Sequence, residues 1–220
     1  MCRAVTRVTH LSGAAVSLMN EGGPAGIVAS SDDVWLRVEE LPFILGEGPC
    51  WDAFESRRPV FAEDIHAAEE LRWPGYCRAA SDHGVRAVFA IPLKVGLARL
   101  GVLGLYRRVP GGLGDIERHR VLAFAELATT MLIDGQEEAG DGFTPSGVDS
   151  ALGSRFEVYQ AQGMAMVQLG IPLQDAMARL RACAYAQDRT LGEISRDVVA
   201  RLVVFEREDF DPGSKKGSEG

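Results

Sequence analysis

Between Asp134 and Ser150 the chain carries Gly135, Gly140, Gly142, Pro145 and Gly147 among acidic residues, and the apolar periodicity on either side stops there. Glycine adds backbone freedom and proline removes an amide donor, so no core strand is expected to cross this stretch. A chain of 220 residues broken at that point has room for two units with separate cores. The pattern predicts a first domain over residues 1–137, a linker over 138–150, a second domain over 151–206 and a disordered tail over 207–220, where Gly, Ser, Lys and Glu predominate.

The first domain reads as strands mixed with helices. Ala14–Met19 and Gly26–Ala29 are β-prone runs around a Gly- and Pro-containing turn, which predicts a hairpin. Ser30 or Ser31 is placed to cap a helix through Leu41 with Val34, Val38 and Leu41 as its apolar stripe. Val85, Ala87, Phe89, Ile91 and Leu93 alternate up to a turn near Val95–Ala98, and Leu100–Tyr106 resumes the extended pattern as a second hairpin. Gly101 and Gly104 interrupt that last strand, so a bulge or a closely approaching neighbour is expected there. Asp115, as an N-cap, opens a helix to about Ile133 with Val121, Phe124, Ala125, Ala128, Met131 and Leu132 on one stripe and Leu122, Leu127 and Ile133 on another. A helix apolar on two faces needs covering on two sides, by a sheet and a second copy of the chain or, as the alternative, by one thick core within the chain.

Three helices are predicted after the break. Ser154 opens the first, with Phe156, Tyr159, Gly163 and Met166 or Val167 inward and Gly170 as its stop. Pro172 opens the second, striped by Leu173, Ala176, Met177, Leu180 and Ala184. Thr190 and Glu193 form a capping box for the third, which is expected to bury Leu191, Ile194, Val198, Leu202 and Phe205. Helices this short must share one core, so a small bundle is expected.

Composition removes several function classes. Net charge is −8, which argues against non-specific coating of nucleic acid or anionic membrane, although residues 150–201 hold six basic and five acidic groups and leave room for a local basic face. Cys2, Cys50, Cys77 and Cys183 form no CxxC pair, and His10, His66, His83 and His119 share no motif, so neither a metal site nor any cofactor is expected. No P-loop, GxSxG or HExxH occurs. No apolar run approaches the ~18 residues that span a bilayer, and no secretory h-region opens the chain, so a cytoplasmic protein with no membrane partner is expected.

The run Gly46-Glu47-Gly48-Pro49-Cys50-Trp51-Asp52-Ala53-Phe54, followed by Arg58-Pro59-Val60 and the strand from Val85 to Leu93, resembles the GAF sensory domains of actinobacterial regulators over about residues 10–135. The run Ser154-Arg155-Phe156-Glu157-Val158-Tyr159-Gln160-Ala161-Gln162-Gly163-Met164, with Ala176, Leu180, Arg181 and Ala184, resembles the ANTAR domain of transcription antiterminators. The two resemblances imply an α+β fold: a GAF domain with a central antiparallel sheet flanked by helices, then an all-α three-helix ANTAR bundle. They also imply that Met1 falls within the first GAF helix. The implied function is a signal-responsive, non-enzymatic antitermination regulator whose GAF domain senses an unknown small ligand or partner and whose ANTAR domain binds RNA hairpin loops as a homodimer.

Arg155, Gln160, Gln162, Arg179, Arg181, Arg189 and Arg196 are the candidate RNA contacts, with Arg201 as a further cation, because guanidinium pairs with phosphate and stacks on unpaired bases. Trp51, Phe54, Trp73 and Tyr76 are candidate linings of a ligand pocket on an open sheet face, weighed against service in the core. The chain departs from the ANTAR pattern at Gln162, where Lys is usual, at Cys183, where an aromatic is usual, and at Ser195, where Ala is usual. A dimeric interaction module that has lost RNA binding is therefore the alternative. A thiol-based sulfoxide reductase is the remote third, since Cys50 and Cys77 do not follow the cysteine pattern of GAF reductases.

Overall fold

The computed structural model describes residues 1–20, 23–67, 72–139 and 148–206, with the side chains of 135–139 and 148–155 outside the description. The chain separates into two compact units, Met1–Ala151 and Leu152–Gly220. The first is built on a five-stranded antiparallel sheet: β1 (Gly13–Asn20), β2 (Gly23–Ser30), β3 (Val60–Ala62), β4 (Ala87–Val95) and β5 (Ala98–Arg107), in spatial order β2-β1-β5-β4-β3.

Both expected hairpins are present, β1 with β2 and β4 with β5. Alternation sorts the side chains to two covered faces. On one face Val16, Ala87, Phe89, Ile91, Leu103 and Leu105 pack under α1 (Cys2–Thr9) and α6 (Asp115–Ala139), which contribute Val5, Val121, Ala125, Ala128 and Leu132. The other face is covered by four short helices: α2 (Asp33–Val38), α3 (Leu41–Leu45), α4 (Pro49–Ser56) and α5 (Pro74–Asp82). There Ala15, Val88, Ala90, Val102 and Tyr106 meet Trp35, Val38, Phe54, Trp73 and Tyr76. The face expected to lie open is thus filled, and for that reason the intervening residues Val88 and Ala90 are as buried as the alternating set singled out from sequence.

Several local expectations are corrected. The cap of α2 is Asp32, whose carboxylate accepts from the Trp35 amide, whereas Ser31 donates to that carboxylate. The helix buries Trp35 and Val38, with Val34 only half-buried, and it ends at Val38 before α3 begins. In α6 Met131, expected on the first stripe, is largely exposed, and Val121, Ala125, Ala128 and Leu132 form the stripe buried against the sheet. Asp115 is the first residue of α6, which continues through Asp134 and Gly135 to Ala139, and α7 starts at Val148. Helix therefore occupies both ends of the span read as a linker, because one glycine costs a long helix only about 1 kcal/mol relative to alanine. Residues 140–147 and 207–220, which carry the rest of the linker and the tail, lie outside the described residues.

The second unit consists of α7 (Val148–Leu169), α8 (Leu173–Ala186) and α9 (Leu191–Val199). Gly170 ends α7 in the left-handed region, at φ 68°. The Thr190–Glu193 capping box opens α9 with both of its reciprocal bonds. The core of the bundle is Val158, Ala161, Ala165 and Leu169 from α7, Ala176, Met177, Leu180 and Ala184 from α8, and Leu191, Ile194 and Val198 from α9. The stripe expected of α7 is corrected: Phe156, Tyr159 and Val167 face solvent. Alanine sets that seam because it lets helix backbones approach closely, so the largest apolar residues of α7 fall outside it. Leu173 and Leu202 are likewise exposed, the latter because α9 ends before it and Arg201 turns left-handed at φ 59°.

Candidate functional site

Two regions bear on function, one in each unit. In the first unit the residues proposed to line a pocket are placed by α4 and α5. Pro49 fixes the first turn of α4, and Trp51, Asp52 and Phe54 follow on it. Phe54, Trp73 and Tyr76 are buried, and Trp51 is partly buried beside Gly23, at which a Cβ would strike the Trp51 ring. Trp73 and Tyr76 meet edge-to-face at 6.5 Å, and the Trp73 indole Nε1–H donates to Asp52 Oδ2 at 3.0 Å. The Arg99 guanidinium lies 4.7 Å from the centre of the Phe54 ring and the Arg72 guanidinium 4.1 Å from that of Trp73. These aromatics pack into two core clusters rather than around one space. Beside them Asp52, Glu55, Ser56, Val60 and Arg72 line a wide, shallow depression on the surface.

Deeper in the same face lies a polar cluster absent from the sequence reading. Glu39, buried at 3% exposure, accepts from the Ser17 hydroxyl at 2.6 Å and from the Cys50 thiol at 3.4 Å. Gly104 makes room for it, since a Cβ there would collide with Glu39 Oε1. Burial, and then the Glu39 carboxylate, push the Cys50 thiol well above its usual pKa. Burial also pushes the Tyr76 phenol well up, with Cys50 and Glu39 adding to the effect. Such a thiol is held as a donor and not as a thiolate nucleophile. An acid directly after a helix normally reads as solvated, and the signal that marked Glu39 as different was Gly104, a strand glycine 65 positions away in sequence.

In the second unit the candidate RNA contacts fall into different environments. Gln160 is exposed on α7. Gln162 is turned inward, buried at 5%, and its Nε2 donates to the Leu173 carbonyl at 2.8 Å, joining α7 to the start of α8. Arg189 is half-buried and pairs with Asp197 at 2.7 Å. Arg196 is exposed, in a long 3.8 Å pairing with Glu157. Arg179 and Arg181 are both half-buried, and burial lowers the Arg181 pKa, partly offset by Tyr159. The side chain of Arg155 lies outside the described residues. Gln160, Gly163, Met164, Val167, Gln168, Arg201 and Val204 line an open groove of about 580 Å³ between α7 and the segment after α9. Val167 was one of two alternatives, with Met166, for the inner side of α7, and Gln168 and Val204 carried no sequence signal because the return of residues 201–206 onto α7 is a tertiary event.

Among the described residues no group of three or more His, Cys, Asp or Glu side chains is arranged to hold a metal ion, and no helix is long and apolar enough to cross a membrane. No curated protein matches the chain. Solved structures similar to it include the GAF domain of a phosphoenolpyruvate-protein phosphotransferase from Acinetobacter, at 14% identity over 64% of this chain and 82% of that one with a TM-score of 0.49. Another is a GAF domain/HD domain protein from Geobacter sulfurreducens, at 17% identity over 64% of this chain and 91% of that one with a TM-score of 0.48. The family models match in two successive stretches, the GAF domain over residues 1–133 and the ANTAR domain over residues 147–199. The sheet with its flanking helices and the helical unit after it coincide with those two stretches. The chain therefore belongs to the GAF family and is a GAF and ANTAR domain-containing protein.

Proposed function

We propose that the protein is a cytoplasmic, signal-responsive regulator of transcription antitermination, in which the α7–α9 bundle binds RNA hairpin loops and the GAF unit receives the signal. The observation that carries this reading is the match of residues 147–199 to the ANTAR domain, together with the exposed Gln160 and Arg196 on the surface of that bundle. Exposed guanidinium and carboxamide groups suit the phosphates and unpaired base edges of a loop. The bundle presents few such groups, so two copies acting together on paired loops gain through effective concentration. The exposed Leu122, Leu127 and Met131 on α6 supply an apolar surface for a homodimer. The input to the GAF unit is an unidentified small ligand or partner, and the depression beside Arg72 is its candidate entry rather than the buried Phe54, Trp73 and Tyr76.

Filter binding of the full chain to RNAs carrying two adjacent hairpins tests the reading, with light scattering for the dimer. Salt-sensitive binding that weakens by about fivefold or more in Arg196→Ala is expected, in line with loss of a charge-assisted phosphate contact. Absence of binding to any hairpin RNA at low salt overturns it. The interaction-module alternative is favoured by Gln162 facing inward and by the Arg189–Asp197 pair, which engage two of the candidate contacts within the bundle. A protein retained on the immobilised bundle, together with failed RNA binding, identifies that alternative.

A further inference from the structure

The groove on the second unit combines three features that a simple packing defect would not. Its floor is apolar and open, with Val167 and Val204 exposed at 71% and 58%, and Met164 beside them. Its edges are amides: Gln160 lies on one turn of α7 and Gln168 two turns on, and Gln168 Oε1 is oriented by accepting from the Phe205 backbone N–H at 3.0 Å. Among the described residues, its one charged lining residue is Arg201. Among the described residues no carboxylate lies within ion-pair distance of that guanidinium.

The backbone at Arg201 sets where that cation is carried. It sits just past the end of α9 at φ 59°, where a glycine is the usual occupant because a Cβ is strained there. Arginine at this position carries that strain and places a cation at the groove. His10 and Arg57 close α1 and α4 in the same conformation, so at Arg201 it is the helix end that fixes where the cation is carried.

We propose that this groove holds one unstacked nucleobase of an RNA loop, its ring on Met164, Val167 and Val204, its edge on the amides of Gln160 and Gln168, and its phosphate on Arg201. Carboxamides offer a donor and an acceptor side by side, which is the complement of a base edge. Loop bases splay out and are held in this way, by an apolar platform with polar groups at the rim. A contact between copies of the chain suits the groove less well, because a stable dimer needs about 800 Å² on each partner and this surface is a few side chains with a cation among them. The proposal rests on the RNA-binding reading above and names the place on the bundle where a base is read.

The test uses the full chain and a two-hairpin RNA selected against it from a library with randomised loops. Each loop nucleotide is then replaced in turn by an abasic one. With the wild type, one position is expected to lose about tenfold or more in affinity, the scale of one stacked base. Val167→Asp, a substitution at an exposed site, is expected to weaken the intact RNA to a similar degree, and the abasic change is then expected to add nothing, as for two changes in one contact. Arg201→Gly relieves the left-handed backbone, so its thermal midpoint is expected to be equal or higher while its RNA affinity falls about fivefold, the loss of one charge-assisted contact. Equal abasic losses in wild type and Val167→Asp overturn the base site and leave RNA binding standing. A changed mass in light scattering with unchanged RNA affinity also overturns it, assigning the groove to self-association. Failure to select any RNA overturns both the site and the reading beneath it.

Discussion

Glu39, Ser17, Cys50 and Gly104 fit closely together in the GAF unit, and each depends on the others. A buried carboxylate without donors is strongly destabilising, and here the hydroxyl of Ser17 and the thiol of Cys50 supply them. Gly104→Ala would drive a methyl group into Glu39 Oε1 and toward Cys50 Sγ. We expect a loss of about 1–3 kcal/mol, the usual range for overpacking a filled core, seen as a lower urea midpoint of the GAF unit in the full chain. The sequence announced the glycine but not its partner. It could show only that a bulge or a closely approaching neighbour is expected at position 104, whereas the neighbour itself, the acid just after α2, appears only once that helix is laid on the same sheet face. The aromatics Phe54, Trp73 and Tyr76 teach the converse: their types suit both a pocket and a core, and burial decides between them.

The elements were legible wherever a local rule governs them. The hairpins, the Gly170 stop and the Thr190–Glu193 box depend on a few neighbouring residues and stand where the pattern puts them. Thr190→Ala removes the hydroxyl that accepts from the Glu193 amide and is expected to cost about 1 kcal/mol. The Thr190 backbone N–H, and then its hydroxyl, hold the Glu193 carboxyl below its ordinary pKa. Because the folded value lies below the unfolded one, this support is complete above the unfolded carboxylate range and is lost as pH falls through the depressed folded value. The Arg86 side chain lowers the Asp64 pKa, and its loss in acid has the same sign. Urea midpoints followed by circular dichroism from pH 7 down to 3 should therefore fall on the acid side, less steeply in Glu193→Gln. The packed face of α7 was not legible by the same means. Periodicity selected its largest apolar residues, but close approach of helices selected Val158, Ala161, Ala165 and Leu169, and left Phe156 and Val167 outside.

At the scale of the whole molecule, an acidic chain with net charge −8 is proposed to bind a polyanion, so its contacts must be few and local. Arg196 and Arg201 are exposed, which makes four such cations in a dimer. The affinity for hairpin RNA should fall with salt at a logarithmic slope of about −3, taking about 0.7 per phosphate contact with single strands. A slope near zero in a titration from low to physiological salt would remove phosphate pairing from the account. The amino-acid sequence by itself determined that there are two units, that the first is a sheet with helices and the second three helices, and where most elements turn or stop. These follow from hydrophobic period, glycine, proline and capping residues, all read over a few neighbouring positions. Only the tertiary structure decided that both sheet faces are covered, that Gln162 serves the bundle from within, that Arg189 meets Asp197, and that residues 201–206 return to α7 to make a groove. Those outcomes rest on contacts between residues distant in sequence, where burial of one side chain is settled by what another element brings against it.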